Sequence, residues 1–227
     1  GSHLCRHLAR GGHAVVRLVR RPPDDSGREI EWDPQAGRLA PDAVAGLDAV
    51  INLAGENIAS GRWSAAVKQR IRESRTATTG LLAQTMASVE GKPRVFVCAS
   101  AIGFYGSRGD ELLTESAPAG SGFLADLSRE WEEACEPARA AGVRVVNLRI
   151  GVVLSPAGGA LAKMLPIFKM GMGGVIGSGN QWVAWIGLSD LLRVVEFVLA
   201  HDGLAGPVNA VSPNPVTNRQ FTKAAGA

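Results

Sequence analysis

The chain has 227 residues, of which 46% are hydrophobic and 20% charged, with a formal net charge of +3. That balance fits one globular domain, or one domain with a small lobe. No run of about 18 apolar residues occurs, which argues against a membrane-crossing helix, and the Arg and Lys residues are scattered rather than blocked, which argues against nucleic-acid binding.

Residues 2–10 carry Leu4 and Leu8 one helical turn apart and are followed by Gly11-Gly12, so they predict a short amphipathic helix. The run AVVRLV at 14–19 reads as a buried strand and REIEWD at 28–33 as a weaker one. LDAVINLAG at 47–55 is a strong strand, and residues 64–86 form a long helix with Val67, Ile71, Leu82 and Met86 on one face. RVFVCAS at 94–100 is a further apolar strand, and a helix over 123–141 closes at Gly142. In that helix Trp131 is assigned to the core, and Arg129, Glu130, Glu132 and Glu133 to a solvated face. VRVVNLRIGVVL is a strand with its exit, and a helix around Pro166 covers 160–170. The helix over 189–200 turns Leu191, Leu192, Val195 and Val198 inward, with Asp190 as its cap, and Thr217 to Gln220 fits a capping box.

Cys5, Cys98 and Cys135 have no CxxC or Cys/His spacing, and His3, His7, His13 and His201 lack metal-ligand spacing. The cysteines read as small apolar residues of a reducing, cytoplasmic environment, with no metal site. Helices alternating with apolar strands predict an α/β, doubly wound parallel sheet. A helix at the very start needs a strand to feed it, so a preceding strand is expected.

DAVINLAGENI, Arg62-Trp63, Ser74-Arg75, ASAIGFYG, LRIGVVLSPAGGALAKMLPIFKMGMGGVIGSGNQWVAWI and GPVNAVSPNPVTNRQF follow one another in order. Together they resemble the epimerase-like branch of the extended short-chain dehydrogenase/reductases, and most closely a sugar-nucleotide epimerase-like family with a C-terminal domain of unknown function. The resemblance spans essentially the whole chain. It implies a Rossmann-like domain over 1–155 and a substrate-lid region with the final Rossmann elements over 156–227, each continuing beyond this sequence. It also implies NADP(H) binding and chemistry on a small or nucleotide-linked substrate, as an epimerase or reductase.

The resemblance carries specific residues. Gly1 takes the place of the third glycine of a Gly-x-x-Gly-x-x-Gly loop; three residues alone also fit a cloning remnant, and the native reading is favoured by the pattern that follows. Arg20, at the end of the second strand, selects NADP over NAD, with Arg21 as the less favoured neighbour. Asn52, Leu53, Ala54 and Gly55, with Ala99 and Gly151, are the remaining cofactor-binding candidates. Ser100 takes the place of the active-site serine or threonine. Tyr105, the one tyrosine of the chain, is the candidate proton carrier, with packing beside the substrate loop as its alternative. Lys163, Gln181 and Trp185, with Trp182, are the substrate candidates. The superfamily's Tyr-x-x-x-Lys pair is absent: one register places Phe123 and Leu127 there, the next Leu124 and Ser128, and the segment holds neither Tyr nor Lys. A non-catalytic NADP(H)-binding or redox-sensing role is therefore the alternative expectation.

Overall fold

The computed structural model describes residues 1–59 and 61–226. The elements run α1 (Ser2–Arg10), β1 (Arg17–Val19), β2 (Glu29–Glu31), a 3-10 turn (Pro41–Ala43), β3 (Ala49–Asn52), α2 (Ala65–Ser88), β4 (Val95–Ala101) and a second 3-10 turn (Ile102–Tyr105). They continue as α3 (Phe123–Glu133), α4 (Glu136–Ala140), β5 (Arg144–Ile150), β6 (Val152–Ser155), α5 (Gly159–Lys169), β7 (Trp182–Val183), β8 (Trp185–Gly187), α6 (Leu188–Ala200), β9 (Gly206–Ala210), β10 (Val216–Thr217) and α7 (Asn218–Ala225).

β3, β4, β5 and β9 form a four-stranded sheet in that order, parallel throughout. Successive side chains of a strand point to opposite faces, and β4 shows why both faces must be covered. Phe96 and Cys98 pack among Leu82, Met86, Trp131 and Cys135, from α2 and the α3–α4 layer. Val95 and Val97 pack with Leu4 and Leu8 of α1 and Val195 and Val198 of α6. Fully burying side chains of this size stabilises a fold by about 1.5–3 kcal/mol each. The expected Rossmann-like α/β architecture is therefore present. β1 and β2 pair in parallel with each other, β6 pairs in parallel with β8, and β7 pairs antiparallel with β10.

Three local expectations need correction. The helix over 123–141 is two helices, broken at Ala134 and Cys135, because Pro137 stands in the first turn of α4 and has no N–H to continue the first helix. Asp190 does not cap α6: the cap position is Gly187, and Asp190 lies in the first turn, 3.4 Å from Arg193. The strand expected over 14–19 begins at Arg17; Ala14 and Val16 are exposed. The capping box at α7 is present, with the Thr217 side chain accepting from Gln220 N and the Gln220 side chain accepting from Thr217 N. All strands of the main sheet run the same way, so the loops after Asn52, Ala101, Ile150 and Ala210 gather at one carboxyl edge, where open α/β sheets bind ligands.

Candidate functional site

The loop after β3 is anchored from below. Asn52 is buried; its Oδ1 accepts from Ala54 N at 3.0 Å and its Nδ2 donates to Thr79 Oγ1 of α2 at 2.8 Å. That pair of bonds turns the chain out of the strand, leaving Leu53 39% exposed on the rim. Ser74 Oγ then accepts from Glu56 N at 2.9 Å, and Arg75 Nη2 donates to the Glu56 carbonyl at 3.0 Å. Arg75 also donates to the Ile71 carbonyl and lies 5.0 Å from the centre of the Trp131 ring. Among the described residues no carboxylate pairs with it. Burial holds its guanidinium below the ordinary arginine range, with Glu56 acting against that shift. Gly55 lies directly over this group: a Cβ there would stand 3.1 Å from the guanidinium carbon. A glycine-floored loop over a partly desolvated cation that makes no direct ion pair fits an anionic cofactor lying along the backbone. Ser74-Arg75 stood out in the sequence, but nothing there marked Arg75 as lying beneath Gly55.

A second polar group lies at the end of β4. Ser100 is 3% exposed and its hydroxyl donates to Glu132 Oε1 at 2.6 Å. Arg149, the register partner of Ser100 on β5, forks onto the same carboxylate through Nε and Nη2, both at 2.9 Å. Its Nη1 donates to Tyr105 Oη at 3.0 Å and to the Glu115 carbonyl at 3.1 Å, and Tyr105 donates to Asn209 Oδ1 at 2.6 Å. The guanidinium carbon lies 3.5 Å from the centre of the Phe104 ring. Burial alone would lower the Arg149 pKa, but the Glu132 carboxylate and the Tyr105 oxygen outweigh it and raise the value. Glu132 is thus not part of a solvated face, which corrects the sequence expectation: it is the counter-ion of a buried arginine. Ser100 and Tyr105 are brought together by one ion pair, with both hydroxyls engaged.

The remaining candidates are spread. Gly1 is exposed at the start of α1. Arg20 is exposed just after β1 and makes no ion pair among the described residues, whereas Arg21 is held by Glu29, whose side chain is fully buried. The Asp24 N–H first, and then Arg21, keep the Glu29 carboxyl below its usual range against the opposing effect of burial. Ala99 is buried in β4. Gly151 lies against the Ala184 carbonyl, which would stand 2.8 Å from a Cβ at that position. Lys163 is exposed on α5. Gln181 Nε2 donates to the Ile176 carbonyl at 2.7 Å, Trp185 Nε1 to the Asn214 carbonyl at 3.1 Å, and Trp182 Nε1 to Asp110 at 2.6 Å. No helix is long and apolar enough to cross a membrane among the described residues.

Comparisons with known proteins agree with this fold. The model of the NAD dependent epimerase/dehydratase family matches residues 1–210. An epimerase family protein of Mycobacterium bovis is 46% identical over 226 residues, covering 100% of this chain and 74% of the relative. The crystal structure of human epimerase family protein SDR39U1 with NADPH superposes with a TM-score of 0.87 at 32% identity, covering 100% of this chain and 76% of that one. A nucleoside-diphosphate sugar epimerase of Corynebacterium glutamicum also gives a TM-score of 0.87, at 39% identity; 99% of this chain spans 46% of that one. A parallel sheet with both faces covered, a glycine-floored loop at its carboxyl edge and a family match over most of the chain lead to one statement: the chain belongs to the NAD dependent epimerase/dehydratase family.

Proposed function

We propose that the chain binds NADP(H) along the loop after β3 and acts on a nucleotide-linked substrate as an epimerase or reductase. The observation that carries the reading is Arg75, a half-buried cation with no carboxylate in ion-pair contact among the described residues, lying under Gly55. Leu53, Ala54 and Gly55 offer backbone to the cofactor, and Arg20 offers its free guanidinium to a 2′-phosphate. The relatives support the cofactor class: the human structure is described with NADPH. The nicotinamide supplies hydride transfer when bound, and the protein's part is to position it and exclude water. Ser100 is the group proposed to polarise the reacting oxygen, and Tyr105 the group proposed to carry the proton. Lys163, Gln181 and Trp185 are proposed to face the substrate.

A second reading has its own observation. The segment where the superfamily has its Tyr and Lys holds neither, and the Ser100 hydroxyl is committed to Glu132. A chain built this way could bind NADP(H) and report it to a partner without turnover. One experiment separates the two: fluorescence titration with NADPH and NADH, then turnover with a panel of nucleotide sugars and carbonyl compounds. Tighter binding of NADPH with cofactor-dependent conversion supports the enzyme. Binding with no conversion of any panel member supports the sensor, and no binding of either cofactor overturns both.

A further inference from the structure

The α3 stretch that aligns with Tyr-x-x-x-Lys presents no cation, yet one reaches the same place from another helix. Lys68 of α2 puts its Nζ 5.2 Å from the centroid of the Phe123 ring, and Arg72, one turn on, puts its guanidinium carbon 5.9 Å from it. Trp63 meets Phe123 edge-on at 5.4 Å, and its Nε1 donates to the Ile58 carbonyl at 2.8 Å. That bond ties the aromatic pair to the loop that begins over Arg75.

The charges around this group are unevenly matched. Arg72 pairs with Glu130 at 2.7 Å and Arg70 with Glu56 at 3.5 Å. Lys68 pairs with no carboxylate among the described residues; the Phe123 ring is its partner. Of the five lysines in the chain, the other four are exposed and Lys68 alone is half-buried. The ring holds the Lys68 side chain in place through its electron-rich face and leaves the ammonium's charge free for an anion. Arg62 and Arg75 likewise make no direct ion pair among the described residues, and Glu56 is shared between Arg70 and Arg75, so positive charge is in surplus around the loop.

We infer that Lys68 binds a phosphate group of the ligand beside the β3 loop, with Trp63 and Phe123 as the apolar surface next to it. The inference rests on the nucleotide-binding reading above. A phosphate there belongs either to the cofactor or to a nucleotide-linked substrate. In both cases α2, not α3, supplies the cation, and Phe123 is a binding surface with no proton to transfer.

Isothermal titration of NADPH, UDP and inorganic pyrophosphate into the wild type, Lys68→Gln and Lys68→Arg tests this, with the melting temperature of each recorded. A charge-assisted contact corresponds to about tenfold or more in affinity. Lys68→Gln is therefore expected to weaken at least one nucleotide by about that factor, with Lys68→Arg staying within about threefold and the melting temperature unmoved. Weakened NADPH assigns the cofactor phosphate; weakened UDP alone assigns the substrate; either supports the inference. If the wild type binds a nucleotide and Lys68→Gln binds it equally well, the inference falls while the cofactor reading stands. If the wild type binds neither nucleotide, the cofactor reading falls. Pyrophosphate then decides: Lys68-dependent binding sustains the phosphate site, and its absence overturns it.

Discussion

Arg149 and Glu132 depend on each other for their charge. Their side chains are 4% and 14% exposed, so each has given up water for the other. Removing one partner of a buried pair costs about 3–5 kcal/mol, whereas replacing both with apolar groups of similar volume costs far less. Arg149→Met alone is expected to lose an amount of that order in urea unfolding, and Arg149→Met with Glu132→Leu to recover most of it. A double variant no more stable than the single one would contradict the pairing. Neither half of this pair was marked in the sequence. Arg149 shares its strand with a second arginine, Arg144, and Glu132 is one of five charged residues on its helix. Its distinguishing mark is its position, one turn after the buried Ser128 and next to the buried Trp131. Periodicity alone does not turn a glutamate inward; the partner on β5 does.

Elements with long apolar runs were the ones the sequence revealed. β4 and β5 are buried along most of their length and stand in the middle of the sheet, so their composition has no alternative. β9 was not predicted: it lies at the edge, includes Pro207 and is largely half-buried, and an edge strand needs no apolar run. The segment between the second 3-10 turn and α3 was also illegible, because its shape comes from a backbone crossing. Gly120 N donates to the Phe104 carbonyl at 2.9 Å, and a Cβ at Gly120 would stand 2.1 Å from the Tyr105 carbonyl oxygen. Both obstructing groups are backbone, so Gly120→Ala must displace the turn that carries Tyr105. The expected cost is about 1–3 kcal/mol or more, read as a lowered melting temperature. Gly80→Ala is the contrast: that position is inside α2 with open space around it, and the substitution is expected to stabilise by about 0.5–1 kcal/mol. Equal melting temperatures for the two variants would contradict the crossing.

For the whole molecule, the parallel sheet determines where chemistry is possible. It delivers the β3 loop, the β4 turn with Tyr105 and the exit from β5 to one edge, whatever the residues there do. The alternation of helices and strands made that edge readable, and the family resemblance pointed to a cofactor. Arg75 and Lys68 were not readable, since both lie on α2 and reach the site only through its packing beside the β3 loop and α3. The central claim is that the loop over Arg75 seats a phosphate-bearing cofactor. The most direct measurement is NADPH titration of Arg75→Met, which keeps an unbranched apolar stem against Trp131 while removing the charge. The account predicts a loss of about tenfold or more in NADPH affinity. NADPH affinity equal to that of the wild type would contradict it.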